Sequence, residues 1–435
     1  MRRELGLRDL TLFAVTTIVG TRWIPAAAHA GPGSLTLWVL SAVFFVIPLA
    51  MAVGALTVRY PGTGGLYLWS RSDFGPWHGF LCFWIYWTGM ACWFPGAAMF
   101  YMSAALHALG PSWAQIASNR TAVVVASLMA IWIALGTNLF GLRIGKWTQN
   151  AGGAAAWLLC LSLAFLALLA YAKRGSATMI DLMPALDLST LSFSASIAYA
   201  MSGLELAGMM GGEIRDPGKT LPRAGWIASG VVTIFYCGST LALLVLMRPE
   251  NISELYGLAQ AGKAGAEVTG AHWVSPALAG LVLLSALGQF GGIGTAVSRM
   301  PFAAGVDKLL PESFGKVHPR WATPYVSILT LGIVSSILLI VMQLGDSMAA
   351  GYQAIVSLML LAGFVPFIYI FLSAWKAGKR VSAVSGLVVT VVAVGCSLVP
   401  TSEIRNVWVF EGKLALGTLA TVVTGWLVYR RNKTY

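Results

Sequence analysis

Ile18-Val19-Gly20-Thr21-Arg22-Trp23-Ile24-Pro25 interrupts the first long apolar stretch of the chain, which runs from Leu10 to Ala30. The flanks are apolar enough to belong to one membrane span of about 20 residues. The centre holds two helix-weakening residues, Gly20 and Pro25, and Pro25 brings no backbone donor. An arginine at that depth is costly unless it faces a cavity or a partner. Backbone freed from helical bonding inside a bilayer persists only where protein or water satisfies it. The stretch therefore reads as the lining of a polar cavity near the membrane midplane. The plainer reading is a proline kink with a snorkelling arginine. Arg22 lies far from both ends of the span, which disfavours that reading.

The composition agrees with a polytopic membrane protein. Of 435 residues, 57% are hydrophobic and 10% charged, whereas a soluble domain carries about 25% charge. Mean hydropathy is +0.77. The five cysteines, Cys82, Cys92, Cys160, Cys237 and Cys396, fall in apolar runs without pairing or metal-ligand spacing, and read as packing residues. A net charge of +12 would suggest nucleic acid in a soluble protein. Here the positive-inside bias explains it, and no nucleic-acid partner is expected. Arg2-Arg3 runs into an apolar segment without a small-residue cleavage site, so no cleavable signal is expected.

Twelve spans are expected. The first five are Leu10–Ala30, Ser34–Val58, Trp77–His107, Thr121–Phe140 and Trp147–Tyr171. The next five are Leu191–Gly211, Gly225–Met247, Val274–Val297, Tyr325–Gln343 and Gly351–Trp375, followed by Val381–Val399 and Leu414–Tyr429. The third span holds Trp84, Tyr86, Trp87, Trp93, Phe94 and Tyr101, too many and too deep for an interface belt alone. Arg248 to Trp273 reads as the longest polar loop, and the connector before Thr323-Pro324 as basic with short helical character. On this topology one side of the membrane carries 20 Lys and Arg and the other 7, with Arg22 inside a span. Both termini are therefore expected in the cytoplasm, with the protein multi-pass in the cell inner (plasma) membrane.

A second interruption lies in the sixth span, at Tyr199-Ala200-Met201-Ser202-Gly203-Leu204-Glu205. Broken segments at matching positions of two halves point to a transporter built from inverted repeats. Residues 10–171 and 191–375 would be those repeats and 381–429 two accessory helices, all in a single domain over 1–435.

The motifs that follow give the chain a family resemblance. Glu213-Ile214-Arg215-Asp216-Pro217-Gly218-Lys219-Thr220-Leu221-Pro222-Arg223-Ala224 follows the sixth span. Arg299-Met300-Pro301, Gly305 to Pro311, Lys316-Val317-His318-Pro319 and Thr323-Pro324 follow the eighth. Tyr60-Pro61 to Gly65-Leu66-Tyr67 and Phe74 to Phe80 lead into the third. These resemble the connectors of the amino acid–polyamine–organocation (APC) family of secondary transporters. The resemblance implies an all-α fold: the ten-helix, 5+5 inverted-repeat core of the bacterial leucine transporter, with helices one and six broken and two helices added. Gly203–Glu205 resembles the family's sixth-span break, and Tyr199 takes the place of a gating aromatic. The first break departs from the family's Gly-Ser/Ala-Gly by reading Gly20-Thr21-Arg22, which exchanges a close backbone approach for a guanidinium. The fifth span has Asn150, Gly152, Gly153 and Trp157 where some proton-coupled relatives place a lysine.

The expected substrate site comprises Gly20, Thr21, Arg22, Tyr199, Ser202 and Gly203, with Glu205, Trp23 and Ile293 in coupling or gating. Arg22 either forks onto a substrate carboxylate or pairs with Glu205 across the two breaks. His29 reads as a hydrogen-bonded packing residue rather than a proton sensor. Asn138, Gln289 and Thr295 face the pathway or bond between helices, and the Glu213–Arg223 linker is a gate or brace. Gly291-Gly292-Ile293-Gly294 lacks the strand and the Lys-Ser/Thr of a phosphate loop. No metal motif, catalytic triad or carboxylate pair stands out, so neither enzyme activity nor a cofactor is expected. The expected function is amino acid transport by alternating access, as proton-coupled symport or exchange. The alternative substrate is a polyamine or other organic cation. The expected partners are the small-molecule substrate and the lipid bilayer, with the protein a monomer or homodimer.

Overall fold

The computed structural model describes residues 5–62, 64–139, 142–184, 188–209, 211, 214–321, 323–344, 347–399 and 406–433. Arg2 and Arg3, Phe140, Glu213 of the linker and Arg405 lie outside the described residues.

The described chain is helical apart from one isolated bridge, Leu5 to Ile214. The first stretch forms α1 (Leu7–Ile18) and α2 (Trp23–His29), bent by 56° about the residues between them. Then come α3 (Ser34–Ser41), a π turn over Ala42–Val46, and α4 (Ile47–Arg59), one apolar span of 26 residues. Next are α5 (Leu66–Phe74), α6 (Pro76–Ala108), α7 (Pro111–Ser118), α8 (Arg120–Leu139) and α9 (Leu142–Arg174). The second stretch forms α10 (Leu188–Ala200) and the short α11 (Leu204–Gly208). After it come α12 (Pro217–Leu246), α13 (Gly257–Thr269), α14 (Val274–Val306), α15 (Tyr325–Met342), α16 (Met348–Lys376), α17 (Arg380–Ser397) and α18 (Val407–Lys433).

Among the described residues nine helices are long and apolar enough to cross a membrane, or ten with α1 and α2 taken as one bent span. The expected count of twelve exceeds this by two segments, α6 and the α10–α11 pair. The 33-residue α6 is about 50 Å long at 1.5 Å per residue, but Trp77, Trp84, Tyr86, Trp87, Trp93 and Tyr101 lower its apolarity. The α10–α11 pair is divided at Met201–Gly203, and neither piece is long enough alone. The expected loop from Arg248 to Trp273 contains α13, whose buried face is Leu258, Ala261, Gly262, Gly265 and Val268. Small residues there let α13 lie close on its neighbours. The expected seventh span begins earlier than Gly225, because Pro217 opens α12 at its first turn, where a missing N–H costs nothing.

The bundle is tied at both ends. At one end Arg71 Nη1 meets Asp307 Oδ2 at 2.6 Å, and the Tyr67 hydroxyl donates to the same oxygen at 2.6 Å. Burial, then the bond to Asp307, pushes the Tyr67 phenol above its usual range. The Arg215 N–H donates to Leu5 O at 3.0 Å, strapping the start of the described chain to the linker before α12. At the other end the segment leading into α13 covers α2: His29 Nδ1 lies 2.7 Å from Ile252 O. His107 of α6 stacks on Tyr256 at 4.4 Å, and Gln353 of α16 donates to Glu254 at 2.5 Å.

Candidate functional site

The two interruptions meet at the centre of the bundle. In the first, Gly20 to Arg22 leave the helical ladder; local turns meet Gly20 O and Thr21 O, and other helices supply partners for Ile18 O, Val19 O and the Gly20 N–H. Tyr236 of α12 accepts from the Gly20 N–H at 2.9 Å and donates to Ile18 O at 2.8 Å, with Ala200 O of the second interruption 3.3 Å away. One phenol thus touches both breaks. It is held by stacking on Trp38, with centroids 4.1 Å apart and planes within 1°, and the Trp38 indole donates to Thr240 at 3.2 Å. Gln289 of α14 donates to Val19 O at 3.2 Å and accepts from the Tyr101 hydroxyl at 2.8 Å. Thr21 lies 3.5 Å from the Ser285 hydroxyl.

The second interruption is satisfied mostly by its own residues. Gly203 has φ +130°, where a side chain is strained, and its N–H donates to Glu205 Oε2 at 2.9 Å. The Ser202 N–H and hydroxyl both donate to Tyr199 O, at 2.9 and 2.7 Å. Glu205 Oε1 accepts from the Tyr86 hydroxyl at 2.8 Å.

Arg22 and Glu205 are each 1% exposed. They form no ion pair; those among the described residues join Arg59 to Asp73, Arg71 to Asp307 and Lys219 to Asp216. The pairing weighed from sequence is therefore not present in this conformation. Glu205 is turned to Gly203 and Tyr86. The Arg22 side chain is turned to α6 and α16, over the rings of Trp23 (4.1 Å) and Trp93 (5.3 Å), with Nη2 3.1 Å from Met359 Sδ. Its Nε and Nη1 are buried without a hydrogen-bond partner.

A small cavity of about 30 Å³ lies between the breaks. Six of the nine residues expected at the site line it: Trp23, Tyr199, Ser202, Gly203, Glu205 and Ile293. Gly20, Thr21 and Arg22 lie beside it without lining it. Tyr86, Met90 and Trp93 of α6 also line it; Tyr86 and Trp93 belong to the third-span aromatics of which one or two were expected to face the cavity, and Met90 was not foreseen. Their spacing of four and three residues on α6 is a helix face that periodicity could have picked out. Nothing in the apolar run of α12 marks Tyr236. Of the three polar candidates within spans, Gln289 lines the cavity, and Asn138 and Thr295 do not. Gln289 also borders a crevice of about 320 Å³ between α1, α9 and α14, which includes Asn150, Gly152, Gly153 and Trp157.

A multi-pass helical bundle with two unwound segments facing each other at its core has the build of a membrane carrier. The chain belongs to the amino acid permease family of the APC superfamily, whose model matches residues 5–427. Its members are transporters of amino acids and polyamines rather than enzymes, and the family implies a leucine-transporter-like fold. An uncharacterized transporter of Legionella pneumophila is 23% identical over 456 residues, covering 99% of this chain and 97% of that protein. A Lactococcus lactis protein named probable agmatine/putrescine antiporter is 21% identical, covering 99% of this chain and 96% of its own. The serine/threonine exchanger SteT of Bacillus subtilis is 25% identical over 75% of this chain and 74% of its own.

Proposed function

We propose that this protein carries amino acids across the cell inner membrane by alternating access, with the substrate held between the two helix breaks. The observation that carries this reading is Arg22. It is a fully buried guanidinium beside the unwound backbone, with two nitrogens that no acceptor meets. A buried charge needs a partner in some state of the cycle, and a substrate carboxylate fits its fork. The central cavity, about 30 Å³, is too small for an amino acid, so binding requires it to widen. Opening requires α1 and α2 to move against α6 and α14. Gly20, Thr21, Tyr199, Ser202 and Gly203 then border the substrate, and Glu205, Trp23 and Ile293 couple or gate its movement. Transport is coupled to protons or to exchange; the resemblance to a serine/threonine exchanger supports the latter. Counting α6 and the α10–α11 pair gives twelve spans, with repeats over 10–171 and 191–375 and two added helices over 381–429. The charge bias supports a cytoplasmic position for both termini. A second reading, a polyamine or other organic cation as substrate, is favoured by one observation: Glu205 lines the cavity and Arg22 does not.

Melting of purified protein with single amino acids and with their decarboxylated amines tests the proposal. Amino acids should stabilise the parent and the amines should not. Arg22→Lys should weaken binding about 10-fold or more, since a charge-assisted contact is worth about 1.5–3 kcal/mol. Stabilisation by amines alone would favour the second reading and remove the first.

A further inference from the structure

We infer that a groove between α15 and α18 binds one anionic phospholipid, in the leaflet at which α18 ends. The two helices each pack on α6, and between them lies a slot of about 480 Å³, within the usual range of about 300–1,000 Å³ for ligand pockets. Phe83, Trp84 and Trp87 of α6 form its floor. The segment after α14 also borders it, with Leu310, Pro311 and Phe314. Thr330 stands on one wall and Val428 on the other, and Arg431 lies one turn beyond Val428.

The groove belongs to the surface that faces hydrocarbon. Beside it, Ile333 and Ile337 of α15 and Val423 and Leu427 of α18 are exposed, as the lipid-facing side of a span must be. An acyl chain matches its aromatic, apolar wall. The polar groups are few. Thr330 donates its hydroxyl within its own helix, to Val326 O at 2.8 Å. The Trp87 indole N–H is buried without a partner, a donor left over in an otherwise apolar wall. Arg431 forms no ion pair among the described residues, and no acid lines the slot. A cation at the end of an apolar slot, with nothing anionic to answer it, is complementary to a phosphate headgroup above an acyl chain. The Arg430-Arg431 end of α18 attracts anionic lipid in general; the groove would fix one molecule. The consequence reaches the centre, because Tyr86, Met90 and Trp93 of the cavity sit on the adjoining face of α6. A lipid packed behind α6 bears on the helix that walls the site.

Native mass spectrometry of the full chain, released from detergent with phosphatidylglycerol or phosphatidylcholine of identical chains, tests this. The parent should retain one phosphatidylglycerol, with a preference over phosphatidylcholine of about fivefold, as one interfacial arginine supplies. Arg431→Gln should bring that preference close to unity, and Arg380→Gln, at the same end of the bundle, should leave it unchanged. Thr330→Trp fills the slot and should remove both lipids. Should that variant lose its fold, Val428→Trp makes the same test from the other wall. Equal retention of the two lipids by the parent overturns the proposal. So does a folded slot-filling variant that still holds one phosphatidylglycerol, or a dimer that covers α18 and carries no lipid.

Discussion

The two helix breaks solve the same problem in different ways. Unwound backbone inside a membrane must find partners. The first break borrows them from α12 and α14, through Tyr236 and Gln289. The second carries its own, in the side chains of Ser202 and Glu205 and in a glycine conformation. A break whose bonds come from other helices can change them when those helices move. A break capped by its own residues keeps its shape. The first is thus the one suited to rearrange during transport, and it also carries the arginine, two of whose nitrogens meet no acceptor.

The largest effect should come from the self-capped break. An added Cβ at Gly203 would sit 3.1 Å from the Ile18 side chain, on a backbone that strains any side chain. Gly203→Leu should abolish uptake in proteoliposomes while protein still reaches the membrane. Near-normal uptake would mean that the second break is not where substrate passes. Tyr236→Phe should come next. It strips a partner from Gly20 and Ile18 together, at a cost of about 1–3 kcal/mol in stability. The melting temperature should fall and uptake should slow, and an unchanged melting curve would show that the first break does not depend on α12. Ser202→Ala should have the smallest effect, because the backbone N–H of Ser202 also reaches Tyr199 O. A loss of about 0.5–1.5 kcal/mol is expected, and a loss as large as that of Tyr236→Phe would erase the difference between the breaks.

Much of this architecture could be read from residue types. Gly20 with Pro25, and Ser202 with Gly203, are helix-weakening sets inside apolar runs, and both breaks lie where they were expected. Most spans announced themselves by length and apolarity. The α6 helix was expected over Trp77–His107 and spans Pro76–Ala108, although its Trp and Tyr residues lower its apolarity. One feature resisted: the α13 helix is small and alanine-rich, and its apolar face is covered by the bundle rather than signalled by a long hydrophobic run.

The charges mark the limit more sharply. Sequence placed Arg22 and Glu205 deep in the membrane, since each sits in the middle of an apolar run, and in the structure each is 1% exposed within the bundle. Whether they meet depends on rotamer and on neighbours hundreds of residues away. Glu205 is held by Tyr86, 119 positions distant, and Arg22 by contact with Met359, 337 positions distant. Depth follows from local hydrophobicity, which the chain carries in its own order. Partnership follows from which helices pack side by side, and only the folded bundle decides that.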